Sequence, residues 1–235
     1  MKILLLLLFF IFDVGKSFTI DCNYYTWNHD VVGDLYQCGT TNIPISLGNI
    51  VTNVTGTHLI GKSNRDVEAI YILGNWILSF VPKDFSYFFP NIKAINIYHT
   101  TIERLYGDEF NEFPQLEYLT IINSNLTTIS SKIFERTPNI KNVRFRNGML
   151  NRVGYNIFSS IDVTQLQWVA FYNHRGISRD SGENQAAAIE IVKELREKCP
   201  FTDENLSITE NSTCNNRRIE EFVCFACFVI LFKLT

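Results

Sequence analysis

The sequence predicts a solenoid, in which one short supersecondary unit is stacked on copies of itself. A step of 24 residues separates proline from proline and phenylalanine from phenylalanine, in the sets Pro90, Pro114 and Pro138, then Phe110, Phe134 and Phe158. Apolar residues keep a fixed order within each step, and the six cysteines lie outside the steps. A period of this length indicates stacked repeats. It favours recognition over a broad surface rather than chemistry in a pocket.

The first residues predict a secretory signal peptide over residues 1–17. Lys2 gives a charged start, residues 3–12 are an unbroken apolar run, and Gly15 and Ser17 are small residues before a cleavage point. The run is too short to span a membrane, and a buried N-terminal strand is the alternative. We therefore expect a secreted, extracellular protein that matures in an oxidising compartment, where disulfides form.

Sequons and composition agree with this route. Four sequons predict glycosylation at Asn53, Asn125, Asn205 and Asn211. A hydrophobic content of 46% with 19% charged residues is that of a globular chain. The net charge of −3 gives no overall attraction to nucleic acid, so we expect no nucleic-acid partner.

Residues 18–61 predict an N-terminal cap. Cys22 and Cys38 bound a segment with four aromatic residues, Tyr24, Tyr25, Trp27 and Tyr36. A hairpin closed by a Cys22–Cys38 disulfide would cover the apolar end of the first repeat, which has no upstream neighbour. Residues 43–61 are typical of strand and turn.

Residues 62–173 predict four repeats and a partial fifth. Each copy begins with an alternating stretch, such as 95–98, which indicates a strand with one buried face. The later part of each copy, such as 109–114, indicates a turn of α-helix or 3₁₀-helix that ends at a proline. In the first copy we expect core residues at Val67, Ile70, Ile72, Asn75, Ile77, Phe80 and Phe85, with one extra residue at Phe88-Phe89-Pro90.

Residues 174–214 predict a C-terminal cap, and residues 215–235 an apolar tail. A helix is predicted over Gln185–Cys199, where apolar residues recur among charged ones until Pro200. The apolar run 222–232 is too short to cross a bilayer as a helix. Small residues at 211–213, a polar spacer and this run fit the outline of a GPI-anchor signal. A disordered or cap-packed tail is the alternative.

The spacing within one repeat resembles an extracellular leucine-rich repeat. It runs Leu116, Leu119, Ile121, Ser124, Leu126 and Ile129, then Phe134 and Pro138, and the resemblance covers about residues 67–173. It implies an α/β leucine-rich repeat solenoid, with a curved parallel sheet on the concave side, short helical or 3₁₀ segments on the convex side, and disulfide-closed caps. The N-terminal cap and the lead-in at residues 56–62 also resemble small secreted leucine-rich proteins of insects.

Two features depart from that family. Its ladder of asparagine or cysteine falls here on Asn75, Thr100, Ser124, Gly148 and His174. Only the first residue matches, so we expect a less regular sheet. The family's cysteine after the last strand is missing, which leaves Cys199 without its usual partner. We expect Cys214 to replace it.

The strand residues between the buried ones are the candidate ligand contacts, because side chains alternate across a strand. Those expected to bind a protein ligand on the concave face are Tyr71, Tyr98, Tyr118, Arg144, Arg146, Trp168 and Tyr172. Tyr, Trp and Arg are frequent interface hot spots, although aromatics also simply favour sheets. A basic end would suit an acidic protein or a sulfated glycan, unless it is a solvated face; it comprises Arg136, Lys141, Arg144, Arg146 and Arg152.

The sequence carries no motif for catalysis or for a metal site. The four histidines lack metal-ligand spacing, and Cys224 and Cys227 have redox spacing only within the apolar tail. We therefore predict no enzyme activity and no cofactor. The expected function is a secreted recognition protein that binds a protein ligand through its concave face. The alternative is a self-associating structural or adhesive glycoprotein, held at a membrane only if the tail signals an anchor.

Overall fold

The computed structural model of the protein describes residues 17–41, 43, 49–174 and 177–198. Most of the expected signal peptide, both partners of the expected Cys199–Cys214 pair, the sequons at Asn205 and Asn211, and the apolar tail lie outside the described residues. The expectations for them stay predictions.

Thirteen strands and one α-helix are the regular elements of the described residues. The strands are β1 (Ser17–Asp21), β2 (Asn23–His29), β3 (Gly33–Thr40), β4 (Ile50–Thr55), β5 (Ala69–Leu73), β6 (Ala94–Tyr98), β7 (Arg104–Leu105), β8 (Tyr118–Ile122), β9 (Thr128–Ile129), β10 (Asn142–Arg146), β11 (Arg152–Val153), β12 (Trp168–Tyr172) and β13 (Arg179–Asp180). The helix α1 (Gln185–Lys198) follows the last strand. Short 3₁₀ segments lie at Asn64–Asp66, Phe85–Tyr87 and Val163–Gln165.

The chain forms a parallel β-solenoid of about four turns, which confirms the repeat architecture. Its main sheet has eight strands in the order β13-β12-β10-β8-β6-β5-β3-β2. The inner strands run parallel, and β2 and β13 pair antiparallel at the two edges. Parallel neighbours follow from coiling, because each coil returns the chain to the same side before the next strand begins.

The repeat length sets the register of the main sheet. The first residues of β6, β8 and β10 pair directly with one another, so equivalent positions of successive repeats stand side by side. Alternation then turns two residues of each repeat strand into the core, where they are almost fully buried: Ile70, Ile72, Ile95, Ile97, Leu119, Ile121, Val143, Phe145, Val169 and Phe171. The core expected from the period is therefore the observed core of these strands.

Phenylalanines fill the interior between the sheet and the return path of the coils. Phe110, Phe134 and Phe158 are buried, and the rings of Phe134 and Phe158 stack with centroids 5.4 Å apart. Phe145 and Phe171 on neighbouring strands make a similar contact at 5.4 Å. Burial of one such side chain stabilises a fold by about 1.5–3 kcal/mol. The column of rings therefore supplies a large part of the packing between coils.

The return path of the coils carries short strands that the sequence did not predict. β7, β9 and β11 form a second parallel sheet of two-residue strands. Segment 109–114 contains turns and no helix, although 3₁₀ segments do begin at Phe85 and Val163. The observed architecture is thus a β-solenoid with a parallel sheet and few helices.

The first coil departs from the expected register. Leu78 and Val81 occupy its core positions, whereas Ile77 is exposed and Phe80 is only partly buried at the edge of the core. The extra residue lies directly after β5, where Asn75 and the residue that follows it both have positive φ. The prediction that the extra residue lies just before Pro90 is therefore wrong. The left-handed bend at Asn75 accommodates the extra residue earlier in the coil.

An asparagine ladder joins the later coils, one position before the expected ladder. Asn123, Asn147 and Asn173 each follow a strand and adopt positive φ. The Asn147 amide donates to Oδ1 of Asn123 at 2.9 Å, and Asn173 donates to Oδ1 of Asn147 at 3.1 Å. His174, an expected ladder residue, bonds two backbone groups of the preceding coil. The repeat strands pair without a register shift, so the expected irregularity is wrong.

The Cys22–Cys38 disulfide is confirmed. It closes the β2–β3 hairpin, in which Tyr24 and Tyr36 stack with centroids 5.9 Å apart. Because β3 pairs with β5, the hairpin extends the main sheet beyond the first repeat. β1 and β4 form a separate parallel pair.

The expected helix near the other end is present as α1. It packs against β12 and β13. Its buried residues recur at helical spacing and are Ala188, Ile191, Val192 and Leu195. The last coil is therefore covered by an amphipathic helix.

Replacing both Cys22 and Cys38 with alanine should lower the free energy of unfolding by about 3 kcal/mol. The bridge joins residues separated by 16 positions, and the loop it closes restricts the unfolded chain. Urea unfolding followed by circular dichroism would show a lower midpoint at a similar m-value. An unchanged midpoint would contradict this role of the bridge.

Candidate functional site

The face of the main sheet turned away from the core, named here the outer face, carries the candidate contacts. Its side chains form three rows across the strands. The first row is Gln37, Ala69, Ala94, Tyr118, Asn142 and Trp168; the second is Gly39, Tyr71, Asn96, Thr120, Arg144 and Ala170; the third is Leu73, Tyr98, Ile122, Arg146 and Tyr172. All the residues expected to contact a ligand lie on this face.

The tip of the β2–β3 hairpin folds over part of the outer face. Gly33, at φ +79°, allows the chain to turn back after the tip. Val32 packs against a buried group formed by Leu35, Ala69, Ala94 and Tyr118. The small side chains of the two alanines leave room for the tip. A second, small apolar cluster therefore forms on a face that the sequence predicts to be open.

Arg144 anchors the tip of the hairpin to the sheet. Its guanidinium lies 3.1 Å from a carboxylate oxygen of Asp30, and its Nε donates to the hydroxyl of Thr120 at 3.3 Å. The same group lies 4.8 Å from the ring centre of Tyr118 and 4.4 Å from that of Trp168. Arg144 is only 8% exposed. It therefore holds the hairpin in place rather than standing free for a ligand.

His29 makes the second polar contact of the tip. Its Nε2 donates to Oε1 of Gln37 at 3.0 Å, and its Nδ1 lies 3.4 Å from the amide nitrogen of Asn96. Burial lowers the pKa of His29; the Arg144 charge adds to this effect, while Gln37 and Asp30 oppose it. The neutral ring fits both contacts, because one nitrogen donates and the other accepts.

A cleft of about 460 Å³ remains between the hairpin and the outer face. It is lined by Tyr25, Trp27, Asn28, His29, Asp30, Gln37, Tyr71, Asn96, Tyr98, Tyr118 and Arg144. The rings of Tyr71 and Tyr98 lie 5.3 Å apart, and Trp27 is 58% exposed. Burial raises the pKa of both Tyr71 and Tyr98, so their hydroxyls stay protonated and can donate.

The third row of the outer face stays accessible, and we name it the open strip. Leu73, Tyr98, Ile122 and Arg146 are half-buried, and Tyr172 is 49% exposed. Neighbouring strands lie about 4.8 Å apart, so the strip is continuous over about 19 Å. It mixes apolar, aromatic and basic side chains.

Three of the five side chains at the basic end of the molecule have an acidic partner within the chain. Arg146 pairs with Asp180, and Lys141 pairs with Glu117 at a nitrogen–oxygen distance of 2.6 Å. Arg144 has its own partner in the hairpin, as described above. These pairs lower the positive charge that an acidic ligand would meet.

The structure separates the expected contact residues into three groups. Tyr118 and Arg144 are buried beneath the hairpin tip, Tyr71 and Tyr98 line the cleft, and Arg146, Trp168 and Tyr172 lie towards the β13 edge. The indole N–H of Trp168 donates to Asp180 at 2.8 Å, so this side chain is also engaged within the chain. The expected face is therefore real, but much of it is in intramolecular contact.

The residues that cover the outer face were not expected to do so. Trp27, His29 and Asp30 come from the hairpin, and Asp180 comes from β13. A hairpin sequence predicts its own turn but not the distant strand that its tip meets. The available signal was the pair Ala69 and Ala94, because two small outward residues in register leave space over a sheet.

Within the described residues, Asn53 is exposed and Asn125 is half-buried, so both sequons reach solvent to some extent. The described histidine, cysteine and acidic side chains include no group of three or more that could hold a metal ion. In the same part of the chain, no helix is long and apolar enough to cross a membrane. Comparisons with family models and with curated proteins gave no match for the chain.

Acidification should weaken the fold partly through His29. Its pKa is lowered from the ordinary 6.5, so the unfolded chain binds a proton more readily than the folded chain. The stability that the neutral His29 contributes is fully present above pH about 6.5. It is lost as the pH falls from there towards the pKa of His29 in the folded chain. Urea unfolding at pH 7.5 and at pH 5 measures how much free energy of unfolding is lost on acidification. The loss should be smaller for His29→Gln than for the unchanged protein.

His174 should leave part of this pH dependence in the His29→Gln variant, because burial lowers its pKa too. The combined variant with His174→Gln should therefore be the least pH-dependent. If the His29→Gln variant and the unchanged protein lost the same free energy of unfolding on acidification, a buried, neutral His29 would be contradicted.

Proposed function

We propose that this chain is a secreted, extracellular recognition protein of the leucine-rich repeat type, which binds a protein ligand through its concave face and has no enzyme activity. The carrying observation is the open strip, where side chains from five neighbouring strands stand in register and reach solvent. Tyrosine and arginine are enriched among interface hot spots. A strip spanning five strands suits an extended partner better than a small substrate.

Several features support the leucine-rich repeat type. The strands recur in parallel at the period of the repeat, and asparagines join successive coils. The disulfide hairpin and α1 would then be the two caps, because each covers an end of the stack. The disulfide is also consistent with passage through an oxidising compartment, as the signal-peptide pattern predicts.

The charge distribution favours a partner with apolar and hydrogen-bonding groups over a strongly acidic one. The internal ion pairs of Arg144 and Arg146 leave less basic charge on the outer face than the sequence predicts. Leu73 and Ile122 add apolar surface to the strip. An acidic protein or a sulfated glycan is therefore the less favoured class of partner.

Substitution in the open strip should weaken partner binding without unfolding the chain. A partner is first captured from extracellular fluid with the purified protein, and its affinity is then compared with Tyr172→Ala and Ile122→Asp. Loss of a central interface side chain costs about 2 kcal/mol or more, which is at least tenfold in affinity. Surface plasmon resonance measures the change.

Tyr155→Ala is the matched control, because Tyr155 is 48% exposed and lies outside the three rows of the outer face. It should leave the affinity unchanged. Equal binding by the two strip variants and the control would refute the assignment of this surface.

The β2 edge favours self-association as a second candidate function. β2 is the last strand of the main sheet on its side within the described residues, and exposed edge strands are templates for pairing. Tyr25 and Trp27 flank Thr26. Two copies paired antiparallel about Thr26 would place Tyr25 opposite Trp27 of the second copy, which is a favourable cross-strand pair.

Sedimentation velocity over a range of concentrations tests this second function. Self-association through β2 predicts a dimer that Thr26→Lys converts to monomer, because two like charges would meet at the symmetry axis. A monomer at all concentrations in the unchanged protein would remove this candidate.

A further inference from the structure

The cleft between the hairpin and the outer face has the dimensions of a small-ligand site. Its volume of about 460 Å³ falls within the range of about 300–1,000 Å³ typical of such sites. The Arg144–Asp30 pair and the Val32 cluster fix the hairpin against the sheet. The cleft is therefore held open by contacts of the fold itself, and it meets the open strip at Tyr98.

Aromatic side chains form the walls of this cleft. Tyr71 and Tyr98 present tilted rings 5.3 Å apart, and Tyr25 and Trp27 face them from β2. Trp27 keeps most of its surface in solvent. Exposed indole and phenol rings offer flat apolar surfaces with polar tips, and such surfaces match the C–H face of a sugar ring.

Neutral polar groups accompany the rings. Gln37 and Asn96 line the cleft with amides that each use one polar atom on His29. The hydroxyls of Tyr71 and Tyr98 are protonated. Amides and hydroxyls both donate and accept hydrogen bonds. Sugar hydroxyls also donate and accept hydrogen bonds. The amides and tyrosine hydroxyls of the cleft therefore suit a ligand that carries several hydroxyls.

The charges of the cleft compensate each other. Arg144 and Asp30, which both line the cleft, form an ion pair. An anion would compete with Asp30 for Arg144, and a cation would meet the Arg144 charge. Either ligand would disturb the contact that holds the hairpin, whereas a neutral ligand would leave it intact.

We propose that this cleft binds a neutral pyranose unit of a saccharide, with its ring against the aromatic walls and its hydroxyls on the amide and tyrosine groups. This saccharide site goes beyond the protein-binding function above. It uses the hairpin and the first two rows of the outer face, whereas a protein ligand would lie along the open strip. The two sites are neighbours through Tyr98.

Saturation-transfer NMR and calorimetry on the full secreted chain test the proposal with defined probes. The neutral probes are hexa-N-acetylchitohexaose, cellohexaose and maltohexaose, with a heparin-derived hexasaccharide and choline as charged comparisons. At least one neutral probe should bind with a dissociation constant of about 1 mM or tighter. Trp27→Ala and Tyr71→Ala should each weaken that binding at least about tenfold.

Trp76→Ala is the matched control, because Trp76 is 52% exposed but lies outside the cleft. It should keep full binding, and Tyr71→Phe, which keeps the ring, should lose less than Tyr71→Ala. No binding of any neutral probe, tighter binding of a charged one, or equal binding by Trp27→Ala and the control would each overturn the proposal. Partner binding through Tyr172 is measured separately, so either proposal can fail alone.

Discussion

Each coil of this molecule is stable because the next coil covers its open side. The backbone shows this directly, since Glu117 donates to the carbonyl of Lys93 and Lys141 donates to that of Glu117, both at 2.8 Å. The stacked phenylalanine rings add apolar burial along the same direction. Because a coil cannot bury its own core alone, the two end coils also need cover, and the hairpin and α1 lie against them.

The repeat period predicts most of the fold because it acts at two levels. It assigns side chains to the core by alternation, and it places equivalent residues side by side in the sheet. It fails where local backbone geometry intervenes. The left-handed bend at Asn75 shifts the core of the first coil. The ladder falls on Asn123 and its equivalents because positive φ after each strand turns their amides towards the neighbouring coil.

The candidate site was only partly predictable, for a different reason. The sequence places Tyr98, Tyr118 and Arg144 on one face because that depends on neighbours along the chain. Whether the face is open depends on contacts between distant segments, such as the 3.1 Å pair of Arg144 with Asp30. The same residue types that mark a binding surface, arginine and tyrosine, also make good internal anchors. Composition therefore cannot separate the two roles.

The hairpin also limits how this fold can vary in length. Its tip contacts β5, β6 and β8 through Val32 and reaches β10 through Asp30. One added coil between β8 and β10 would move Arg144 away by about 4.8 Å, the spacing of strands, and would break the ion pair. The number of coils beneath the hairpin is therefore matched to the reach of its tip.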